Sequence, residues 1–232
     1  NRDAREEFDS NSSFRNVYGP PYYSFDYGKV HFLVIDNIEW IPAVPEKKGH
    51  YKPGLEPDQW AFIENDLALI PNDQLLVILM HVPLQYMSKR ERLFRLIEKR
   101  PFTFSVSGHT HVQEHTFLTE EDGWLGEEPH HHMVNVTVSG SWWSGMKNEI
   151  GIPHTRMRDG APNGYSIVTF DKNSYDVTYK AARHPADYQM NIYAPEVVHQ
   201  GVADTVEVFV NVFGGSAGSL VEMRLANSSW IP

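Results

Sequence analysis

The apolar runs of the chain are short, and turn residues bound each of them. Val30-His31-Phe32-Leu33-Val34-Ile35-Asp36 is apolar almost throughout, the pattern of a strand covered on both faces. It follows Tyr22-Tyr23-Ser24-Phe25-Asp26-Tyr27 across Gly28-Lys29, and two β-rich runs around a two-residue turn with glycine predict a hairpin. After a Pro-, Lys- and Gly-rich loop over 37–56, Pro57 opens a stretch in which Trp60, Ile63, Leu67 and Ile70 recur at helical spacing until Pro71-Asn72 ends it. Leu75 to Met80 then predicts a buried strand that stops at His81. Ser88 and Glu91 have the spacing of a capping box for a helix over 88–98, with Leu93, Leu96 and Ile97 on its buried side. A strand over 102–106 follows Pro101 and runs into Ser107-Gly108-His109-Thr110-His111.

Beyond this point the pattern is strand-dominated, with β-type residues over 112–118, 133–138, 165–170 and 175–179. The acidic stretch 120–128 predicts a solvated turn, and His130-His131-His132 predicts partly exposed residues at a strand start. A long aperiodic loop spans 139–164, and a mixed linker spans 184–203. The runs 205–212 and 219–225 predict a hairpin around Gly214-Gly215. The first seventeen residues predict a polar loop with at most one helical turn.

Two consecutive strand–helix–strand units make their strands parallel neighbours. Parallel strands end on one edge, where open α/β sheets place their ligands. Asp36, His81 and His109 are thereby expected at a common edge. Histidines two apart point to one side of extended backbone, and Gly108 permits a sharp turn out of the strand. Imidazole is the commonest neutral metal ligand, so His81, His109 and His111 are the expected ligands.

Composition narrows the classes further. The 232 residues carry twenty basic and thirty acidic side chains, a formal charge of −10, which argues against a nucleic-acid binder built on phosphate contacts. With no cysteine, disulfide scaffolds, zinc–thiolate sites and cysteine nucleophiles are excluded. No apolar stretch approaches membrane-spanning length, and the start of the chain does not have the pattern of a signal peptide. Histidine is abundant at twelve residues.

The chain resembles the calcineurin-like metallophosphoesterases, near the purple acid phosphatases. The likeness is carried by Gly19-Pro20-Pro21-Tyr22-Tyr23-Ser24-Phe25-Asp26, the hairpin into Asp36, Met80-His81-Val82-Pro83 and Gly108-His109-Thr110-His111. The resemblance implies an α/β (α+β) fold: half of a metallophosphoesterase β-sandwich flanked by helices over residues 1–183. Residues 184–232 would be a linker and the beginning of a small all-β domain, as in bacterial enzymes with an appended β domain. Asn211-Val212-Phe213 and Val221-Glu222-Met223-Arg224 would open that domain's first hairpin. The family's binuclear site implies two divalent ions (Zn, Mn or Fe), His81 and His109 on one ion and His111 on the other. Two such ions hold phosphate oxygens, acidify a bound water and neutralise charge in an in-line displacement. The family's earlier Asp-x-His, Gly-Asp and Asn-His-Asp motifs do not occur in this sequence. The expectation is therefore a C-terminal portion of the catalytic domain, inactive by itself, with the acid–base histidine outside it. The family also implies a phosphorylated small-molecule or glycan substrate, with monoester or diester left open, and a periplasmic or extracellular location.

Two other readings remain open from the residues: a mononuclear zinc hydrolase on His81, His109 and His111, and a non-catalytic module binding glycan or protein. Trp143, His154 and Asn163 are candidate substrate-facing residues, because aromatic loop residues often line pockets. His115 is expected to lie away from the site in a structural role. Asp36 is expected at the edge but outside the metal set.

Overall fold

A six-stranded sheet organises the fold, its strands in the spatial order 23–27, 30–34, 75–79, 103–107, 130–134 and 114–118. In this computed structural model, residues 7–142, 145–147, 151, 157–199, 201, 205–224 and 226–232 are described. Strands β1 (Tyr23–Tyr27) and β2 (Val30–Val34) form the expected hairpin, paired antiparallel from Tyr23↔Val34 to Tyr27↔Val30. Strands β5 (Leu75–Leu79), β6 (Thr103–Ser107) and β8 (His130–Val134) continue parallel from β2, and β7 (Glu114–Leu118) closes the far edge antiparallel to β8. The crossovers carry helices α2 (Pro57–Leu67) and α3 (Arg90–Ile97).

The period of two along each strand divides the apolar residues between two faces. Leu76 and Ile78 of β5, with Leu33 and Ile35, pack against Trp60, Ile63 and Leu67 of α2 and Leu93, Phe94 and Ile97 of α3. Leu75 and Val77 point the other way with Val30, Phe104 and Met133. That face is covered by Val168 and Phe170 of β9 (Gly164–Asp171) and Tyr175 and Val177 of β10 (Ser174–Ala181). Fully burying a side chain such as Leu76, Ile78 or Phe104 stabilises the fold by about 2 kcal/mol. The layers are therefore helices, mixed sheet and antiparallel hairpin, the α+β class expected. A third cluster joins Val136, Met157, Ala161, Tyr179, Ala181 and Phe213.

Several local expectations are corrected. Residues 7–18 form a full helix, α1 (Glu7–Tyr18), rather than a loop with one turn. The 37–56 segment contains a hairpin of β3 (Ile38–Ile41) and β4 (His50–Pro53), with Trp40 opposite Tyr51. The Ser88/Glu91 capping box does not form. Ser88 N–H bonds to the Pro53 carbonyl, Lys89 takes the N-cap position at φ 58°, and α3 starts at Arg90. A capping box appears instead at Thr119/Asp122, where the acidic stretch begins. Trp124 in that stretch is buried against Phe94, 5.5 Å between ring centroids.

The predicted hairpin of 205–212 with 219–225 is also corrected. Strand β12 (Phe209–Val212) pairs with β11 (Met190–Tyr193), while Met223 makes a lone bridge to Ile231. Phe213 explains the choice. It is buried beside Tyr179 and Tyr188, and its N–H bonds to the Gln189 carbonyl, which brings β12 to β11.

The His130-His131-His132 run starts β8 as expected and His131 is partly exposed, but His130 and His132 are buried, with β8 lying between β6 and β7. His130 and His132 are 1% and 0% exposed. Their rings lie on the helix-facing side with Thr103, Ser105 and Ser107 of β6. The chain of contacts runs Thr103 Oγ1–His130 Nδ1 (2.8 Å), His130 Nε2–Ser105 Oγ (2.7 Å), Ser105 Oγ–His132 Nδ1 (2.6 Å) and His132 Nε2–Ser107 Oγ (2.9 Å). Because Ser105 has one proton to give, both imidazoles must share one tautomer. Every ring nitrogen has a partner, which is how a buried polar row is tolerated inside a core.

Candidate functional site

The parallel register carries the chain ends of β2, β5, β6 and β8 to one edge, and His81 and His109 meet there. Ile35 N–H bonds to the Leu79 carbonyl, Met80 N–H to Val106, and Gly108 N–H to His81, so the strands stay in step as they leave the sheet. His81 Nε2 and His109 Nδ1 lie 3.1 Å apart, with ring centroids at 4.9 Å. His111 is close enough to both to lower their basicity. Asp36 acts on His81 in the opposite sense, so it too faces this edge.

Asn37, which sequence reasoning passed over, holds His81 in place. Its Oδ1 accepts from the N–H groups of His81 (3.1 Å) and Val82 (3.0 Å), and its Nδ2 donates to the Val82 carbonyl (2.7 Å). It is fully buried. A polar residue directly after a buried strand was its only signal.

The Gly108–His111 turn differs from the extended backbone expected. His109 and His111 have φ of 71° and 56°, in the left-handed region, while Gly108 does not. The histidines themselves make the sharp turn, at a cost of roughly 1 kcal/mol or more each. Distant residues hold the strained segment. The His111 carbonyl accepts from Arg158 N–H at 2.8 Å, and Gln113 N–H donates to Asp159 Oδ2 at 2.9 Å. Asp159 also accepts from Ala161 N–H, and its carbonyl accepts from Asn211 Nδ2, which ties the turn to β12.

Burial lowers the basicity of His81, with the neighbouring imidazoles of His109 and His111 adding to it and Asp36 opposing. Burial and His111 do the same for His109. Both rings are therefore neutral at neutral pH, the form that ligates a metal. Burial raises the Asp36 carboxyl, moderated by hydrogen bonds from Ile38 N–H and Asn11. Two buried polar atoms without a protein partner, Thr110 Oγ1 and Asn135 Oδ1, belong to segments at this same edge.

The donor set fits a divalent ion in part. Two zinc–nitrogen bonds of about 2.0–2.1 Å at a tetrahedral angle put their nitrogens about 3.3 Å apart, close to the 3.1 Å between His81 Nε2 and His109 Nδ1. Among the described residues, no group of three or more His, Asp or Glu side chains is placed to hold a metal ion. A neighbouring cavity of about 300 Å³ is lined by Asp36, Glu56 and Asp58 with Arg15. Three carboxylates to one guanidinium make it a poor seat for a bare phosphate.

The remaining candidates fall elsewhere. Trp143 and His154 lie outside the described residues. Asn163 Nδ2 donates to the Val138 carbonyl at 2.6 Å, bracing the start of β9 against the chain after β8. His115 sits in a separate line on the opposite face from His130. The Gln113 amide oxygen accepts from Val136 N–H, so its Nε2 donates to His115 Nε2 (3.3 Å). His115 Nδ1–H then donates to His131 Nε2 (2.9 Å), and His131 Nδ1–H to Tyr175 Oη (2.8 Å). Two aromatic residues flank these histidines: Tyr51, which sequence reasoning missed, near His109 (6.2 Å), and Trp142, the neighbour of the candidate Trp143, near His111 (5.2 Å).

The class is an α+β fold with a mixed sheet, and His81 and His109 lie at the carboxyl edge of its parallel strands, where such sheets place ligands. Residues 132–232, somewhat less than half of the chain, match the family described as C terminal of calcineurin-like phosphoesterase. This part of the chain is similar to that family's C-terminal region. The match runs across the 183/184 boundary expected from sequence. A solved structure described as "Structure of PhoD" aligns at 15% identity and a TM-score of 0.37, over 50% of this chain and 28% of that one. The chain thus spans under a third of that protein's length. No curated protein matches the chain. Among the described residues, no helix is long and apolar enough to cross a membrane.

Proposed function

We propose that this chain serves metal-dependent hydrolysis of a phosphoester, with His81, His109 and His111 as metal ligands. The observation that carries the reading is the convergence of His81 Nε2 and His109 Nδ1 to 3.1 Å at the carboxyl edge of a parallel sheet. The family match over 132–232 supports the phosphoester class. Bound divalent ions supply positive charge for the phosphate oxygens and acidify water. The protein's part is to hold neutral imidazoles ready: Asn37 fixes the His81 turn, and Arg158 and Asp159 fix the His109–His111 turn. With a formal charge of −10, the chain relies on bound cations rather than a basic surface to meet a phosphate. The three histidines form part of a binuclear set for Zn, Mn or Fe, whose other ligands come from outside residues 1–232. On this reading, residues 1–232 alone are catalytically inactive. The substrate is a phosphorylated small molecule or glycan, handled in a periplasmic or extracellular location.

Metal content of the purified chain after Zn²⁺ or Mn²⁺ loading, with hydrolysis of an aryl phosphate, tests this. The expectation is bound metal that falls at least tenfold in His109→Ala. Equal metal binding by His109→Ala and wild type refutes the ligand assignment. Rapid, metal-dependent turnover by residues 1–232 alone refutes the binuclear part and favours a mononuclear centre.

A further inference from the structure

Exposed aromatic rings stand beside two of the three site histidines, and the metal reading has no use for them. Trp142 is 73% exposed, the most exposed tryptophan among the described residues. Trp60 and Trp124 are each 3% exposed, and the exposed ring of Trp230 carries the Arg224 guanidinium. Among the described residues no cation lies over Trp142, which instead lies against His111, ring centroids 5.2 Å apart at 61°. Tyr51, 48% exposed, lies against His109 at 6.2 Å and 87°. In neither pair are the rings stacked face to face, and both aromatic side chains keep much of their surface in water beside the histidine.

Both rings are carried on connections that leave the carboxyl edge of the sheet. Tyr51 lies on β4, opposite Trp40 on β3, and the hairpin is braced by Lys52 Nζ–Glu39 Oε1 at 2.8 Å. Trp142 follows β8 in the chain segment whose Thr137 and Val138 are bonded to Gly140 and Asn163. An indole and a phenol held in water beside metal-ligating groups suit recognition of a ring: aromatic faces stack on aryl groups and on the apolar faces of sugars.

We infer that Tyr51 and Trp142 form a ring-binding subsite, so that the preferred substrate is a phosphoester whose alcohol carries a ring with an apolar face. This rests on the phosphoester reading of the same histidines and adds what lies on the far side of the ester oxygen. Stacking of this kind is worth about three- to tenfold in affinity per ring.

The test compares phenyl phosphate and glucose 6-phosphate with methyl phosphate, which shares the charged head and lacks the ring. Binding to the manganese-loaded chain is followed by calorimetry. Phenol and glucose serve as ring-only controls, and Trp142→Ala, Trp142→Phe and Tyr51→Ala as variants. The expected result is a three- to tenfold or larger preference for one or both ring esters over methyl phosphate. That preference falls at least threefold in Trp142→Ala and Tyr51→Ala and returns in Trp142→Phe, with methyl phosphate affinity unchanged throughout. Preference for phenyl alone assigns an aryl ester, and preference for the sugar phosphate assigns a glycan-type ester. Equal binding of all three esters overturns the subsite and leaves the phosphoester reading standing. Ring-only controls that bind as well as the esters overturn the phosphoester reading and keep the subsite. No binding of any ester overturns both. Trp142 is mostly in water, so its truncation does not threaten folding.

Discussion

Acid is expected to destabilise this protein through the buried imidazoles of β8. His130 and His132 are buried to 1% and 0% exposure, and burial pushes each down to about 3. In the unfolded chain a histidine titrates near 6.5. Above that value both states are neutral and the pair contributes no pH dependence. Between about 6.5 and 3 the unfolded state binds protons that the folded state refuses, so stability falls as pH falls. At pH 5 this amounts to about 2 kcal/mol for each ring, or about 4 for the pair. That is a large share of the 5–15 kcal/mol that holds a typical domain together. His131, pushed down to about 4 by burial and then by His115, adds in the same direction. The assay is urea unfolding at pH 7.5, 6.5, 5.5 and 5.0, for wild type and for a His130→Gln/His132→Gln double variant. Wild type loses about 4 kcal/mol more than the double variant between pH 7.5 and 5.0. Equal acid slopes in the two proteins, or imidazole resonances of His130 and His132 titrating near 6.5 in the folded state, refute the reasoning.

Other expectations follow from particular contacts. Asn37→Ala removes three hydrogen bonds at a fully buried position and strands two N–H groups. It lowers stability by about 2–3 kcal/mol in urea unfolding, and weakens zinc binding measured by competition with a chelator. Arg100→Ala leaves the carbonyls of Leu67, Ile70 and Pro71 without their buried guanidinium partner. It lowers the thermal midpoint by several degrees, equivalent to about 2 kcal/mol. In Gly164→Ala the new methyl would meet the Lys180 carbonyl oxygen at 2.4 Å. The β9–β10 hairpin is thereby strained by about 2 kcal/mol, seen as faster hydrogen exchange in β9 and β10 with α2 and α3 unchanged.

Much of the core was legible from period alone. The run 75–80 announced a strand buried on both faces, and Trp60, Ile63 and Leu67 announced the helix that covers one of them. Those two readings were enough to bring His81 and His109 to one edge, because parallel strands joined by crossovers end together. Local cues failed where a distant partner outbid them. Ser88 has the right neighbours for a cap, yet its N–H is taken by Pro53, far earlier in the chain.

The histidine run on β8 is a second such case: its position at a strand start suggested water, and the sheet order β6-β8-β7 buried it instead. The serines that satisfy it sit at every second position of β6, a pattern that has meaning only once β6 and β8 are known to be neighbours. What the sequence determined by itself was the run of strands β1, β2, β5 and β6 with helices α2 and α3, and so the edge at which His81 and His109 collect. Only the tertiary structure decided that His109 and His111 make the turn in the left-handed region, and that Asn37, Arg158 and Asp159 hold it. It alone placed Tyr51 and Trp142 beside the site. Periodicity records which face of an element is apolar, and it holds no information about which distant groups will share a hydrogen bond.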